Sequence, residues 1–562
     1  MAGIWKALKT QPNFNASTMI LLTDGRVMVQ EFLTNHWHAL NPDSKGSYRE
    51  GWWSTLADSS VYREFYASGV LKDGRVFVCG GEYAGDFGDS NTGEIYDPVT
   101  DTWDPVTTPP WSQVGDAASC VLPDGRILIG ALQSGACLIY DPGTDTWTAT
   151  GSQSGSTNEQ TWILLPDNTI LAPQCFYPYG SQKYVISLGT WQDEGAIPVL
   201  LIDKAMAEIG PGMLLYNGKT IFFGAANSSG HGKTAIYSLP AAPTQAGTWT
   251  AGPDLPVLNG QTMVCNDSPC TLMPNGKVLL VAAPFATGTW GFPASLLEYD
   301  PSAHTILQAP TPSNIGAQTK PYHSRLLLLP NGHVLFVQDS NNIQVYEPDG
   351  GPQDAWRPTI SAITPHNILF GVDYYLLQGT QLNGLSQANI FGDDTYMASN
   401  YPLVQLTNTS TNDVVYCRTY GFSTLGVATG PALQSCQFDP RYLEDGTYEL
   451  RVIANGISSY PTGFSHHRGK QRLLDGLKAE FEFFGKFVAE VENINWVIDP
   501  EINGMRIQLK LLQNSVQRLN SLIPARDLPQ VGEAIEKRAK ALEERKVRAR
   551  KTNDPGAGER GE

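Results

Sequence analysis

The stretch that decides the fold runs from Tyr66 to Trp103: YASGVLKDGRVFVCGG over residues 66–81, then EIYDPVTDTW over residues 94–103. Two short apolar segments flank Asp73-Gly74, and an Asp-Gly pair supplies the positive φ angles that a two-residue β-hairpin requires. Tyr96-Asp97-Pro98 is a second turn signal, and a last short segment with Trp103 follows it. The stretch therefore predicts four short antiparallel strands.

The same unit recurs through the first 357 residues. Its hairpin turn occurs seven times, at Asp24-Gly25, Asp73-Gly74, Asp124-Gly125, Asp167-Asn168, Asn217-Gly218, Asn275-Gly276 and Asn331-Gly332. The aromatic landmarks recur as Tyr140 with Trp147, Tyr237 with Trp249, and Tyr346 with Trp356. One four-stranded sheet cannot bury both of its faces, whereas several sheets around an axis bury each other's.

A period of about 50 residues is that of the kelch repeat. The pattern therefore predicts a seven-bladed kelch β-propeller over residues 1–357. The last blade needs a fourth strand, and this strand closes the ring. The segment around Trp5 is similar to the strand around Trp249 and is one candidate for this strand. The segment around Trp356 is the other.

Residues 358–464 lack the repeat and contain short alternating segments, such as 374–378, 403–406 and 448–453. Their number and length are typical of an immunoglobulin-like β-sandwich. The predicted fold class is thus mainly β, with a propeller, a sandwich and an α-helical C-terminal tail.

The charge balance excludes several classes of function. Residues 1–467 hold 20 Lys and Arg against 40 Asp and Glu, and so acidic a body repels nucleic acid and anionic membranes. No apolar run approaches the ~18 residues of a membrane span. No basic start followed by an apolar stretch marks a signal peptide. We therefore expect a cytoplasmic protein, or one exported as part of a particle.

The eight cysteines are too sparse for a disulfide scaffold, and none forms a Cys-x-x-Cys pair. Cys265 and Cys270 are close enough in sequence to form a disulfide, as are Cys417 and Cys436. Free buried thiols are the alternative for both pairs.

Seven kelch blades followed by a sandwich resemble the galactose oxidase and glyoxal oxidase family of copper-radical enzymes. Lys320-Pro321-Tyr322-His323-Ser324 is similar to the strand in which the family's Tyr and His both bind copper. The resemblance covers about residues 15–464. It implies a site with two His, two Tyr and a Cys that is cross-linked to one Tyr.

Most of that site is missing from the sequence. The position of the cross-linked Tyr holds Phe65, with Tyr66 one residue away, and the position of the Cys falls near Thr18. The sandwich segment that should carry the last His, residues 392–401, contains none. We expect Tyr322, His323 and Tyr66 to be remnants of a metal site, with no catalytic residue and no copper cofactor.

Two further groups could hold a metal ion. His36 and His38 share one face of a strand, as metal ligands do, but no third ligand is near in sequence, so ordinary polar strand positions are favoured. Asp393-Asp394 is a weak signal for Ca²⁺. The sequence lacks a phosphate-binding loop and a Gly-x-Ser-x-Gly elbow.

The composition changes after residue 464, and apolar residues recur at alternating spacings of four and three, which predicts a helical or coiled-coil tail over 465–551 and disorder over 552–562. Asp499-Pro500 indicates a helix start within this series, so the tail is either a hairpin or one kinked superhelix. So many large apolar side chains need a covering surface. We expect a protein partner or a second copy to supply that surface along residues 473–523, where the contact residues are Phe481, Phe484, Phe487, Trp496, Leu509 and Leu512.

These features favour a non-enzymatic scaffold. Its propeller loops would recognise a protein or glycan, and its tail would attach it to an assembly. The alternative is an oxidase-like enzyme with a rearranged metal site at Tyr322 and His323.

Overall fold

The computed structural model describes residues 3–84, 88–116, 118–175, 180–368, 371–390, 398–440 and 443–466, the side chains of 367–373 excepted. The chain divides into two compact units. Unit 1 comprises Met1–Thr364, Tyr375–Tyr442 and Thr447–Phe464. Unit 2 comprises Pro365–Tyr374, Leu443–Gly446 and Ser465–Glu562, and in it the rings of His366 and Tyr374 stack with centroids 4.4 Å apart. The predicted helical tail beyond His466 lies outside the described residues.

Seven sheets of the described residues each contain four antiparallel strands in the arrangement of the predicted repeat, and we call them blades 1 to 7. The chain begins with β1 (Ile4–Ala7). Blades 1 and 2 contain β2 (Ala16–Leu21), β3 (Val27–Glu31), β4 (Trp37–Asn41) and β5 (Trp52–Thr55), then β6 (Ala67–Val70), β7 (Val76–Cys79), β8 (Gly93–Asp97) and β9 (Thr102–Pro105). Blades 3 and 4 contain β10 (Ser119–Val121), β11 (Ile127–Gly130), β12 (Cys137–Asp141) and β13 (Thr146–Ala149), then β14 (Ile163–Leu164), β15 (Thr169–Pro173), β16 (Gly180–Val185) and β17 (Thr190–Ala196).

Of the remaining three blades, blade 6 is extended by extra strands. Blade 5 contains β18 (Gly212–Leu214), β19 (Thr220–Ser228), β20 (His231–Ser238) and β21 (Thr248–Ala251). The hairpin of β22 (Val257–Leu258) and β23 (Gln261–Val264) joins blade 6, which contains β24 (Cys270–Leu272), β25 (Val278–Pro284), β26 (Ser295–Asp300) and β27 (Thr305–Gln308). The 3₁₀ helix η1 (Pro321–His323) leads into blade 7, with β28 (Ser324–Leu328), β29 (Val334–Gln338) and β30 (Gln344–Glu347).

The N-terminal strand closes the ring. β1 pairs antiparallel with β30 as the fourth strand of blade 7, and Trp5 lies opposite Tyr346. The expected pairing of Tyr346 with Trp356 is wrong, because Trp356 lies in the 3₁₀ helix η2 (Asp354–Trp356). The innermost strands β28 and β2 contact each other, as do β6 with β10 and β24 with β28. The arrangement is β-propeller-like.

The glycines of the turns adopt the predicted left-handed conformation, but the predicted two-residue hairpins are wrong. The Leu71 N–H donates to the Arg75 carbonyl, so the loop has three residues, and only its glycine has a positive φ angle. Gly25, Gly74 and Gly125 have φ angles of 80°, 82° and 93° at their hairpin turns, in the left-handed region that glycine adopts at little cost. Trp103 joins neighbouring blades, since its indole N–H donates to the carbonyl of Ala57 at 2.9 Å. Asp101 accepts from the Tyr96 hydroxyl and from the Ala57 N–H at 2.8 and 2.9 Å. Blade 2 is thus bonded to blade 1.

The second all-β region contains the strands expected between 358 and 464. One sheet holds β31 (Thr359–Ile368), β32 (Gly371–Thr380), β36 (Thr419–Tyr420) and β37 (Gln434–Phe438), and the other holds β34 (Leu403–Asn408), β35 (Val414–Cys417), β38 (Gly446–Ala454), β39 (Ile457–Ser458) and β40 (Thr462–His466). The short β33 (Asn389–Ile390) belongs to neither sheet and pairs with β24 of blade 6.

This region covers the end of the propeller that carries the Asp-Gly and Asn-Gly turns. The Arg418 guanidinium donates to the Asp73 carbonyl, and the N–H groups of Thr419 and Leu425 donate to the carbonyls of Thr23 and Pro123 at 3.1 and 2.9 Å. The segment around β33 enters the axis itself.

All eight cysteines are buried free thiols, so the thiol alternative holds for both candidate pairs. Within the described part of the chain, no helix is long and apolar enough to span a membrane.

Candidate functional site

We call the end of the propeller opposite the Asp-Gly and Asn-Gly turns the mouth. The innermost strands begin there, and the residue eight positions before each hairpin turn occupies an equivalent place in every repeat. These residues are Ala16, Phe65, Asp116, Glu159, Ile209, Asp267 and His323. Phe65, Asp116, Glu159 and Asp267 share a left-handed backbone conformation, with φ of 48°, 51°, 56° and 50°. Each blade therefore contributes one residue at this position, and the residue type varies from blade to blade.

Four aromatic rings, which we call the mouth cluster, lie together at this end: Phe65, Tyr83, Trp290 and Tyr322. Tyr322 is the central ring, with its centroid 5.0 Å from Trp290 and 6.4 Å from Phe65, both edge to face. Phe65 lies 6.4 Å from Tyr83, which is 45% exposed. Edge-to-face contacts of this kind stabilise a fixed aromatic surface.

Two cations contact the mouth cluster from different sides. The Lys320 ammonium lies 5.7 Å from the Trp290 ring centre and 5.6 Å from that of Tyr322. The Arg325 guanidinium, which is buried, lies 5.1 Å from the Phe65 ring centre and donates to the Tyr322 carbonyl. Cation–π contacts hold such rings in place.

His323 extends the cluster with a positioned imidazole. Its Nδ1 lies 2.7 Å from Oδ2 of Asp339, whose side chain is 6% exposed, whereas that of His323 is 34% exposed. A carboxylate on one ring nitrogen fixes the tautomer and orients the other nitrogen. Asp339 itself has a φ of 43°, an uncommon conformation for a non-glycine residue.

Several buried polar atoms near the mouth have no hydrogen-bond partner among the described residues. They are the other oxygen of Asp339, both amide atoms of Gln338, the hydroxyls of Ser324 and Ser340, and the indole N–H of Trp290. Buried polar atoms nearly always have a partner in folded proteins. These donors and acceptors are therefore places where a polar ligand could bond.

Glu64 lies beneath the mouth and joins blades 1 and 2. Its carboxylate accepts from the Ser17 hydroxyl at 2.8 Å and from the Leu33 N–H at 2.9 Å. Burial, with the negative charge of Asp339 as a second cause, raises the pKa of the Glu64 carboxyl to about 7.

This raised pKa predicts a pH dependence of stability. The folded state keeps a proton on Glu64 that the unfolded state, with a pKa near 4.5, releases. The stability that comes from keeping this proton is therefore fully present at low pH. Between pH 5 and 7 the free energy of unfolding should fall by about 2 kcal/mol. Urea unfolding at both pH values measures this fall. Glu64→Gln cannot titrate and should lack this component, so parallel pH profiles for the two proteins would contradict the prediction.

The residues named from the family resemblance are only partly brought together. Tyr322, His323 and Phe65 meet at the mouth, whereas Tyr66 is buried and its hydroxyl donates to Oε1 of Gln30 at 2.7 Å. Thr18 lies in β2 where the family has its Cys. Phe65 offers no metal-binding atom, Thr18 has no thiol and the Tyr66 hydroxyl is bonded to Gln30, so the described residues do not fit the copper ligand set that the resemblance implies.

The other candidate metal ligands have separate partners. His36 Nδ1 lies 3.0 Å from Asp58 Oδ1, and His38 Nε2 lies 3.3 Å from Glu31 Oε2. His38 also stacks on Phe14, with ring centroids 3.7 Å apart. Across the ranges that the structure describes, no three His, Cys, Asp or Glu side chains are arranged to hold a metal ion. Asp393, Asp394 and the tail residues Phe481, Phe484, Phe487, Trp496, Leu509 and Leu512 lie outside those ranges.

Sequence reasoning missed Trp290 and Asp339, and it included Lys320 in a motif without assigning it a role. Trp290 lies in the loop between β25 and β26 and comes from a different blade than Tyr322. A tryptophan among glycines, GTWGFP over residues 288–293, was the available signal, because an aromatic residue in a turn-rich loop has no strand to pack on.

Comparisons with known proteins agree with the repeat. The Kelch motif matches residues 65–110, which contain blade 2. No curated protein matches the chain. Similar solved structures include a fungal alcohol oxidase of the AA5 family in complex with copper, at 14% identity and a TM-score of 0.46, covering 83% of this chain and 99% of that one. Virginiamycin B lyase from Staphylococcus aureus is also similar, at 12% identity and a TM-score of 0.42, covering 61% and 99%. Identities and TM-scores this low carry no argument on activity.

Proposed function

We propose that the protein is a non-enzymatic binding scaffold, built as a seven-bladed kelch propeller (1–357), an immunoglobulin-like sandwich (358–464) and a helical tail (465–551). The propeller recognises a protein or glycan at its mouth. The tail attaches the chain to an assembly through residues 473–523. No copper cofactor takes part.

The observation that carries this proposal is the mouth cluster. It lies at the mouth, its rings contact the cations of Lys320 and Arg325, and hydrogen-bonding atoms without described partners lie near it. Rigid aromatic surfaces beside unused donors and acceptors are typical of recognition sites. The fold alone supports no particular function.

The test is binding by the full-length protein to a glycan array and to proteins that co-purify with it. Trp290→Ala removes a ring and an indole donor from the mouth, and we expect it to weaken binding at least ~10-fold, since an anchor residue contributes more than 1 kcal/mol. Trp52→Ala is the matched control, because Trp52 is 55% exposed on the outermost strand of blade 1. It should bind normally.

Two results would reject the proposal. One is a ligand that Trp290→Ala and Trp52→Ala both retain. The other is copper-dependent oxidation of a primary alcohol that Tyr322→Phe or His323→Gln abolishes, which would establish the oxidase-like alternative. Thermal melting of each variant separates lost binding from lost folding.

A further inference from the structure

A lysine and a glutamate lie buried side by side in blade 4. Lys183 is on β16 and Glu194 is on the neighbouring strand β17, and their side chains are 0% and 1% exposed. The Lys183 Nζ is 3.0 Å from Oε2 of Glu194 and 3.2 Å from Oε1. Burial of an ion pair away from water carries a large desolvation cost.

A β-bulge places Glu194 there. Ser181 pairs with Gly195 and Gln182 pairs with Asp193, so Glu194 is the extra residue between two paired ones. Gly195 has a φ of 88°, which suits glycine at a bulge. Bulges redirect single side chains, and here the bulge directs the carboxylate toward Lys183.

Blade 5 supplies hydrogen-bond donors to one oxygen of this carboxylate. The Tyr237 hydroxyl and the Gly247 N–H both donate to Oε1 of Glu194. Lys183 Nζ also donates to the Gln245 carbonyl at 2.7 Å. Two fixed donors on one oxygen, with an amine in contact with the carboxylate, are the arrangement that stabilises a tetrahedral intermediate at the carboxyl carbon.

We propose that Lys183 and Glu194 condense within the folded chain to form an isopeptide bond. A proton first passes from Nζ to Oε2, which leaves a neutral amine and a neutral carboxylic acid. The Nζ lone pair then attacks Cδ while Tyr237 and Gly247 bond to Oε1. The C–N bond forms, the C–Oε2 bond breaks, and Oε2 leaves as water with a second proton from Nζ. The remaining Nζ proton stays on the amide nitrogen.

The step needs no oxidant, metal or cofactor. The folded chain holds the two groups in contact, which replaces a bimolecular encounter with an intramolecular one. The product is a neutral amide in place of a buried ion pair, so the desolvation cost of two charges disappears.

The chain contains an internal comparison. Lys277, Glu298 and Tyr346 repeat the Lys, Glu and Tyr combination between blades 6 and 7, where the Tyr346 hydroxyl donates to Glu298 at 2.5 Å. Lys277 Nζ is 3.6 Å from Glu298 Oε2, and their side chains are 27% and 13% exposed. Lys277 also lies 3.5 Å from Asp349. With a longer distance, water access and a competing carboxylate, this pair should remain an ion pair.

Mass spectrometry of the folded full-length protein tests the proposal. The intact mass should be lower than the sequence mass by one water molecule. Chymotryptic cleavage after Tyr184 and Trp191 should leave the peptides that carry Lys183 and Glu194 joined, whereas those that carry Lys277 and Glu298 should separate.

Lys183→Arg is the matched variant, because a guanidinium keeps the charge and the hydrogen bonds but not the primary amine. It should show the full sequence mass with a folded melting curve. Tyr237→Phe should slow the appearance of the lighter species. A folded wild-type protein that keeps its full mass on prolonged incubation, or a water loss that maps to other peptides, would overturn the proposal.

Discussion

Replacing Glu94 by Ala should lower the free energy of unfolding by about 3–5 kcal/mol, because it leaves a buried guanidinium without its counter-charge. Arg63 Nη2 lies 3.0 Å from Glu94 Oε2, and the two side chains are 1% and 4% exposed. Glu94 also accepts from the Ser60 N–H at 2.9 Å. Arg63 in turn donates to the carbonyls of Gly80 and Thr92, both at 2.8 Å.

The pair fixes the segment that leads to the mouth. Arg63 directly precedes Glu64 and Phe65, so the backbone that presents the Phe65 ring depends on this guanidinium. We therefore expect Glu94→Ala to weaken ligand binding at the mouth as well as stability. Equilibrium unfolding in urea measures the loss of stability.

Glu449→Ala is the matched control, since Glu449 also pairs with an arginine. The Arg451 Nη2 lies 3.2 Å from Glu449 Oε2, with side chains 30% and 50% exposed. Exposed pairs contribute about 0–1 kcal/mol. Equal losses for the two variants would show that burial of the Arg63–Glu94 pair has no energetic consequence.

Asn389→Ala should cost about 3 kcal/mol, because one buried amide serves two blades. Its Oδ1 accepts from the Leu328 N–H of blade 7 at 2.8 Å and from the Thr271 hydroxyl of blade 6 at 2.6 Å. Its Nδ2 donates to the Ser399 hydroxyl at 3.3 Å. Alanine removes this partner from the buried Leu328 N–H and Ser399 hydroxyl, at about 1–3 kcal/mol for each group, whereas the Thr271 hydroxyl keeps the Ala388 carbonyl at 2.9 Å.

Thermal and urea unfolding measure this loss, with Asn341→Ala as the control in an exposed loop. The control should change stability by less than about 0.5 kcal/mol. An Asn389→Ala protein as stable as the control would mean that β33 does not anchor the axis segment to the innermost strands.

Local sequence chemistry determined the repeating architecture. Glycine or asparagine at the turns permits the left-handed backbone, and the paired Tyr and Trp residues fill the space between blades, so the period of the pattern alone predicts seven sheets. The strand around Trp5 was a candidate for ring closure by its similarity to another Trp strand. Only the structure decided between it and Trp356, because pairing of residues more than 300 positions apart depends on where the ring ends meet.

The tertiary structure alone decided the site and its surroundings. Trp290 and Tyr322 meet because loops of two blades converge at the mouth, and Glu194 reaches Lys183 because a bulge shifts the strand register. Asn389 enters the axis from the second region of the chain. None of these contacts follows from the repeating sequence pattern, because each depends on the direction of one side chain after the blades have packed. The sequence therefore determined the repeating sheets, whose geometry is local, and left open the functional surface, whose geometry is not.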